Sequence, residues 1–112
     1  MTAELVGARM SDEVALGGRL DVSAAAETRA LLHAALDNGT GDLVVDLSDV
    51  EIIDATGLGV LLGADRRAKV LGRRLMVRGA NPRVRRILRV TRLDRVLVLS
   101  DRERSDTVLH LA

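Results

Sequence analysis

Short apolar runs alternate with longer stretches of helical spacing along most of this chain. That alternation limits the possible folds more than any single motif does. Leu43-Val44-Val45 lies between Asp42 and Asp46. A β-branched run that is polar only at its ends suits a strand buried on both faces. Leu75-Met76-Val77 and Val96 to Leu99 read as two further strands. Toward the N-terminus, Leu5 to Met10 and Glu13 to Leu16 read as two short strands, with Ser11-Asp12 as the turn between them. Gly17-Gly18 interrupts the second of these, which resumes at Arg19-Leu20.

The intervening stretches carry helix signals. Asp21 to Ser23 offer N-cap side chains for a helix from about Ala24 to Asp37. Its apolar face is Ala25, Thr28, Leu32 and Leu36, with Leu31 and Ala35 alongside. Asn38-Gly39 supplies its C-cap. Leu47 to Ile53 reads as a connecting loop whose Val50, Ile52 and Ile53 turn inward. A second helix spans about Thr56 to Leu71 and stops at Gly72. Asn81-Pro82 starts a third, with Asn as cap and Pro at the first helical position. Asp101 to Ala112 reads as a short closing helix.

The order is β-β-α-β-α-β-α-β, with a final α. It predicts one α/β domain over residues 1–112: a small mixed sheet of about five strands with helices packed on it. Strands separated by helices pair in parallel through right-handed crossovers, and the first two can form an antiparallel edge. The chain contains no Phe, Trp, Tyr or Cys. Its core must therefore come from Leu, Val, Ile, Ala and Met. Disulfides, thiolate metal sites and cysteine nucleophiles are excluded. A base-stacking platform for nucleic acid is excluded as well.

The net charge of +1 conceals a split. Residues 1–65 carry three basic and twelve acidic side chains, whereas residues 66–104 carry fourteen basic and three acidic. The arginines are spaced through helical patterns, as expected of the solvated faces of amphipathic helices. Met1 to Met10 contains Glu4, a single Arg and no apolar run of signal-peptide length. No apolar stretch approaches the roughly 20 residues that span a bilayer. A cytoplasmic protein is the expectation.

The most informative stretch is Asp46 to Leu71. Asp54-Ala55-Thr56-Gly57 sits where a loop feeds the second helix. An acidic residue there faces the positive end of the helix dipole. At 100° per residue, Gly57, Leu61, Ala64, Ala68 and Leu71 share one face, which should pack on the sheet. The opposite face carries Ala55, Gly59, Leu62, Arg66 and Lys69, with Gly63 and Val70 beside them. A glycine inside a helix costs about 1 kcal/mol relative to alanine. Gly59 and Gly63 therefore need a reason: close approach of a partner, or packing against a neighbouring loop of the same chain.

These residues carry a resemblance. Asp54 to Gly63, DATGLGVLLG, resembles the D-S-[ST]-G-L-G-V-L-L-G signature of STAS domains of the anti-sigma factor antagonist type. Gly18-Arg19-Leu20-Asp21 is similar to that family's G-x-L-D, and Asp46-Leu47-Ser48 to its D-L-S. Asn81 to Val84 and Thr91 to Asp94 resemble the start and exit of its third helix. The resemblance runs from about residue 5 to 100.

The resemblance implies a protein that binds an anti-sigma factor, usually a serine kinase of the histidine-kinase-like ATPase fold, and so frees a sigma factor for transcription. It implies a switch as well. Phosphorylation of the first Ser after the Asp blocks binding, and a phosphatase reverses it. A phosphate at a helix start adds roughly −1.5 to −2 charge. This chain departs at that point, because the acceptor position is Ala55. Three readings stand: permanent activity, use of Thr56 instead, or a diverged partner-binding module. Thr56 also has a structural reading, as a hydroxyl hydrogen-bonding near the helix N-terminus. The implied docking surface is Asp21, Asp54, Ala55, Thr56, Gly59, Leu62 and Arg66, with no cofactor and no metal.

Other readings carry less. Gly57-x-Gly59-x-x-x-Gly63 is not the dinucleotide fingerprint. His33 and His110 are the only imidazoles, and no Ser–His–Asp set is visible. An enzyme is not expected. Asp21, Asp46, Asp49 and Asp54 could form an oxygen-ligand cluster, but capping and loop roles explain them better. An alternative function is a STAS scaffold or accessory subunit in a stress-signalling or lipid-transport complex. Nucleic-acid binding through the Arg-rich half is a more distant option.

Overall fold

A computed structural model describes residues 11–100 of the chain. Its elements are β1 (Ser11–Leu20), α1 (Ala25–Asp37), β2 (Asp42–Ile53), α2 (Ala55–Val70), β3 (Arg74–Arg78), α3 (Pro82–Val90) and β4 (Val98–Ser100). A 3-10 turn, Leu93–Arg95, lies between α3 and β4. The sheet order is β1-β2-β3-β4, and every described pairing is parallel. This is the expected α/β alternation. The expected strand Leu5 to Met10, and with it the antiparallel edge and the fifth strand, lies outside the described residues, as does the closing helix Asp101 to Ala112.

Two local expectations are corrected. Ser11 and Asp12 belong to β1, paired with Asp42 and Leu43, and do not form a turn. Gly17 and Gly18 interrupt the strand as expected: they lie between its two register shifts, with Gly18 at φ +70°, and the pairing continues from Arg19 to Leu20 opposite Ile53. The second correction is larger. Residues 47–53 are not a loop but the second half of β2. That half runs on because β1 remains beside it to its end. Val50 and Ile53 do turn inward as expected, at 1% and 4% exposure, and Ile52 is half-buried.

The helices open differently from one another. α1 has Ala24 at its N-cap with no side-chain cap, because Asp21 and Ser23 bond to each other instead. This replaces the expected capping by Asp21 to Ser23. At its other end Asn38 is the C-cap, and its amide donates to the Ala34 carbonyl at 2.8 Å. α3 begins as its sequence predicts. Asn81 accepts from the Val84 N–H at 2.8 Å, and its own amide donates to the Val50 carbonyl, tying the helix to β2.

The core is aliphatic throughout. Leu43, Val45, Leu75 and Val77 line one sheet face at 0–1% exposure, under Leu32, Leu36, Leu61 and Ala64. Val44 and Met76, paired on the opposite face, are only half-buried, so the expected burial of β2 on both faces is incomplete. α1 and α2 are joined by the fork of Arg67 on Asp37, at 3.0 and 2.9 Å. Below them the buried Arg73 guanidinium donates to the carbonyls of Ala35, Leu36, Thr40 and Gly41 and to the Asp12 carboxylate. One side chain thus satisfies the open end of α1, the following loop and β1 together.

Candidate partner-docking surface

The site is assembled where β1 ends and α2 begins. Asp54 is the N-cap of α2, in extended backbone, and its Oδ1 accepts the Gly57 N–H at 2.9 Å. Its Oδ2 accepts the Val22 N–H at 3.3 Å, and its own N–H donates to the Leu20 carbonyl at 3.3 Å. The start of α2 is therefore stitched to the turn that follows β1. Gly57 permits this approach, since a Cβ there would overlap the Leu20 carbonyl oxygen. α2 starts at Ala55, one residue earlier than its spacing suggests.

Asp21 anchors the turn itself. It is buried, at 7% exposure, and accepts from the Ser23 hydroxyl at 2.6 Å, the Ser23 N–H at 3.1 Å and Arg19 Nε at 2.8 Å. The Ser23 hydroxyl first, and then Arg19, lower its pKa from 3.8 to about 2. The carboxylate is ionised and committed to the turn. The same arrangement recurs at Asp46-Leu47-Ser48, where Asp46 accepts the Ser48 N–H at 2.8 Å and its hydroxyl at 2.5 Å. A side chain at Gly79 would collide with that second motif. The aspartates of the two Asp-x-Ser motifs thus each hold the serine two residues on, Asp21 in the turn after β1 and Asp46 within β2. Among the described residues, no group of three His, Cys, Asp or Glu side chains is placed to hold a metal ion.

The outer face of α2 follows the expected phase. Ala55, Thr56, Gly59, Arg66, Lys69 and Val70 are exposed, while Gly57, Leu61, Ala64 and Ala68 are buried. Leu71, expected on the packing face, is 42% exposed beyond the helix end. Leu62 is half-buried and packs partly against the core, so it points less fully outward than the phase suggests. A Cβ added at Gly59 or Gly63 would meet nothing within 4 Å. Among the described residues, packing against a neighbouring loop therefore explains neither glycine. Thr56 makes no side-chain hydrogen bond among the described residues, and Asp54 does the capping, so the structural reading of Thr56 fails. From Ala55 to Arg66 the strip is about 16 Å long at helical rise. Asp21 and Asp54 meet at one end of it through Val22, and Arg66 stands at the other.

Sequence reasoning missed Val22. It is 70% exposed and sits between the two aspartates. A valine next to a helix start gives no signal of its own, and its position became visible only with its bond to Asp54.

Comparison with known proteins agrees with this architecture. The family described as "Mlab, STAS domain" matches residues 5–100. The anti-sigma-B factor antagonist of Staphylococcus aureus is 33% identical over 81 residues, covering 72% of this chain and 75% of that protein. The one from Staphylococcus epidermidis is equally similar. Among solved structures, an anti-sigma factor antagonist from Mycobacterium paratuberculosis superposes with a TM-score of 0.71 at 25% identity, over 89% of this chain and 85% of that one. A candidate antagonist from Thermotoga maritima gives 0.73 at 27% identity, over 88% and 86%. These relatives are named as antagonists of anti-sigma factors. With the motifs in order along the chain and the aspartate-capped α2 in place, the chain belongs to the STAS-domain family, in its anti-sigma factor antagonist branch.

Proposed function

We propose that this chain binds an anti-sigma factor of the serine-kinase type, with the histidine-kinase-like ATPase fold, and thereby releases a sigma factor for transcription. The docking surface is the start and outer face of α2, namely Asp54, Ala55, Thr56, Gly59, Leu62 and Arg66, set beside the turn held by Asp21. The observation that carries this reading is the open space above Gly59 and Gly63. Two glycines whose Cβ positions meet nothing among the described residues leave a smooth helix face against which another backbone can lie. Ala55 offers no hydroxyl, so the family's switch has no acceptor atom at its usual place, and binding is constitutive. A phosphatase then has no substrate here.

A second reading is favoured by one observation. The Thr56 hydroxyl is exposed at the start of α2 and unbonded among the described residues, so it can accept a phosphate in place of the missing serine. Intact-mass analysis after incubation with the kinase and ATP separates the two. No added phosphate supports constitutive binding, and a phosphate that vanishes in Thr56→Val establishes a shifted switch. The test of the function itself is reconstitution. The purified chain is titrated into a complex of the same organism's kinase-type anti-sigma factor and sigma factor. Release of sigma is expected; a chain that leaves the complex intact overturns the proposal.

A further inference from the structure

We infer that Val22 is the apolar anchor of this docking surface, inserted into an apolar pocket of the anti-sigma factor whose rim carries Lys or Arg. The inference rests on the function proposed above and adds to it a residue that the family motif does not include.

A lone exposed valine is ordinary on a protein surface. This one is unusual in how it is held. The chain contains two Asp-x-Ser motifs bonded in the same way, with the serine N–H and hydroxyl both bonded to one aspartate oxygen. At Asp46, inside β2, the middle residue, Leu47, is wholly buried and completes the core. In the turn at Asp21 the middle residue, Val22, is 70% exposed and contributes nothing to the core. Its backbone is nonetheless fixed from three sides: Ser23 and Arg19 hold Asp21, and Asp54 holds the Val22 N–H. A β-branched side chain on such a fixed backbone loses little freedom when it is buried by a partner. Rigid apolar side chains in that position are what interface centres use.

Charge defines the pocket. Val22 lies between two carboxylates. Asp21 is paired with Arg19, whereas Asp54 meets no cation among the described residues. A partner that covers Val22 must bring positive charge to Asp54 or leave it desolvated and unpaired. Asp54 is then a positioning residue for Val22 as well as the cap of α2.

The test uses the full chain and the same organism's purified serine-kinase-type anti-sigma factor, titrated calorimetrically. Val22→Asp should bind at least about tenfold more weakly than wild type, with an unchanged melting temperature. Asp54→Ser keeps a capping oxygen but loses the second acceptor for Val22. It should weaken binding in the wild-type background and weaken it less in Val22→Asp, a coupling that a general loss of structure would not produce. Val22→Ile should retain binding within about threefold, and this variant serves if Val22→Asp does not fold. Wild-type binding with Val22→Asp within about threefold, or additive effects of the two substitutions, overturns this inference and leaves the proposed function standing. A wild-type chain that does not bind overturns both.

Discussion

The backbone of Gly57 lies so close to Leu20 that a methyl group on Gly57 would overlap the Leu20 carbonyl oxygen. This contact presses the first turn of α2 against the end of β1, and Asp54 locks it with its bond to Gly57. Gly57→Ala must push the two apart. Overpacking of this kind costs about 1–3 kcal/mol, and here the obstructing atom is backbone, which cannot rotate away. Urea unfolding should show a loss in the upper part of that range. A loss below about 0.5 kcal/mol would mean that the contact is not tight in solution.

Gly59, two residues on, behaves in the opposite way. Its Cβ position is open, and it lies well inside the helix. Gly59→Ala should therefore raise stability by about 1 kcal/mol through helix propensity alone. If the smooth face serves docking, the same methyl group weakens binding to the anti-sigma factor. A variant that is both more stable and equally tight in binding would remove Gly59 from the docking surface.

Arg73→Ala should be among the most damaging substitutions outside the apolar core. It strips charge-assisted hydrogen bonds from four carbonyls and removes the cation paired with the half-exposed Asp12. The expected cost, mainly from the carbonyls left unsatisfied, is about 1–3 kcal/mol. Lysine cannot replace the planar fork, so Arg73→Lys should recover only part of the loss. Chemical denaturation of the three proteins side by side measures this, and equal stabilities would show that the guanidinium is not a clamp.

Asp21 links stability to pH. Its pKa is about 2 in the folded protein against an ordinary 3.8. The folded state thus holds the carboxylate ionised where the unfolded chain would protonate it. The contribution is complete above about pH 4 and is lost as pH falls toward 2. Asp21→Asn should flatten that part of the acid limb of the stability profile, between about pH 4 and 2, and leave the slope near neutrality unchanged. Wild type and variant with parallel profiles between pH 4 and 2 would contradict it.

Much of this was legible in the chain. The helix starting at Asn81-Pro82 and the two faces of α2 follow from capping chemistry and spacing that act locally. The second half of β2 was not legible. Asp49 and Glu51 are poor strand formers, and the neighbouring β1 keeps that segment extended. Arg73 and Val22 were hidden for the same reason. Arg73 reaches partners more than 30 residues away, and Val22 is defined by a bond to Asp54, 32 residues along the chain. The outward aim of Leu62 was overestimated, because helical phase alone does not show how far the core extends around a helix. Leu62→Asp is consequently a poor probe of binding, since it would also disturb packing.

Under the proposed function, Ala55→Ser supplies a hydroxyl at the position where a phosphorylation switch would act. Ala55 is exposed at the first position of α2, so the added oxygen meets water and the folding cost should stay within about 0.5 kcal/mol. Incubated with the kinase-type anti-sigma factor and ATP, the variant should gain one phosphate by intact mass, whereas wild type gains none. The phosphate would stand beside Asp54, whose carboxylate has no cation near it among the described residues. That adds a near-dianion to a carboxylate at the interface, and one set of cations on the partner cannot neutralise both without rearrangement. Binding of the phosphorylated variant should fall by a factor of ten or more, each factor worth about 1.4 kcal/mol. The unphosphorylated variant should bind as wild type does. A variant that is phosphorylated yet binds undiminished would show that the start of α2 lies outside the interface.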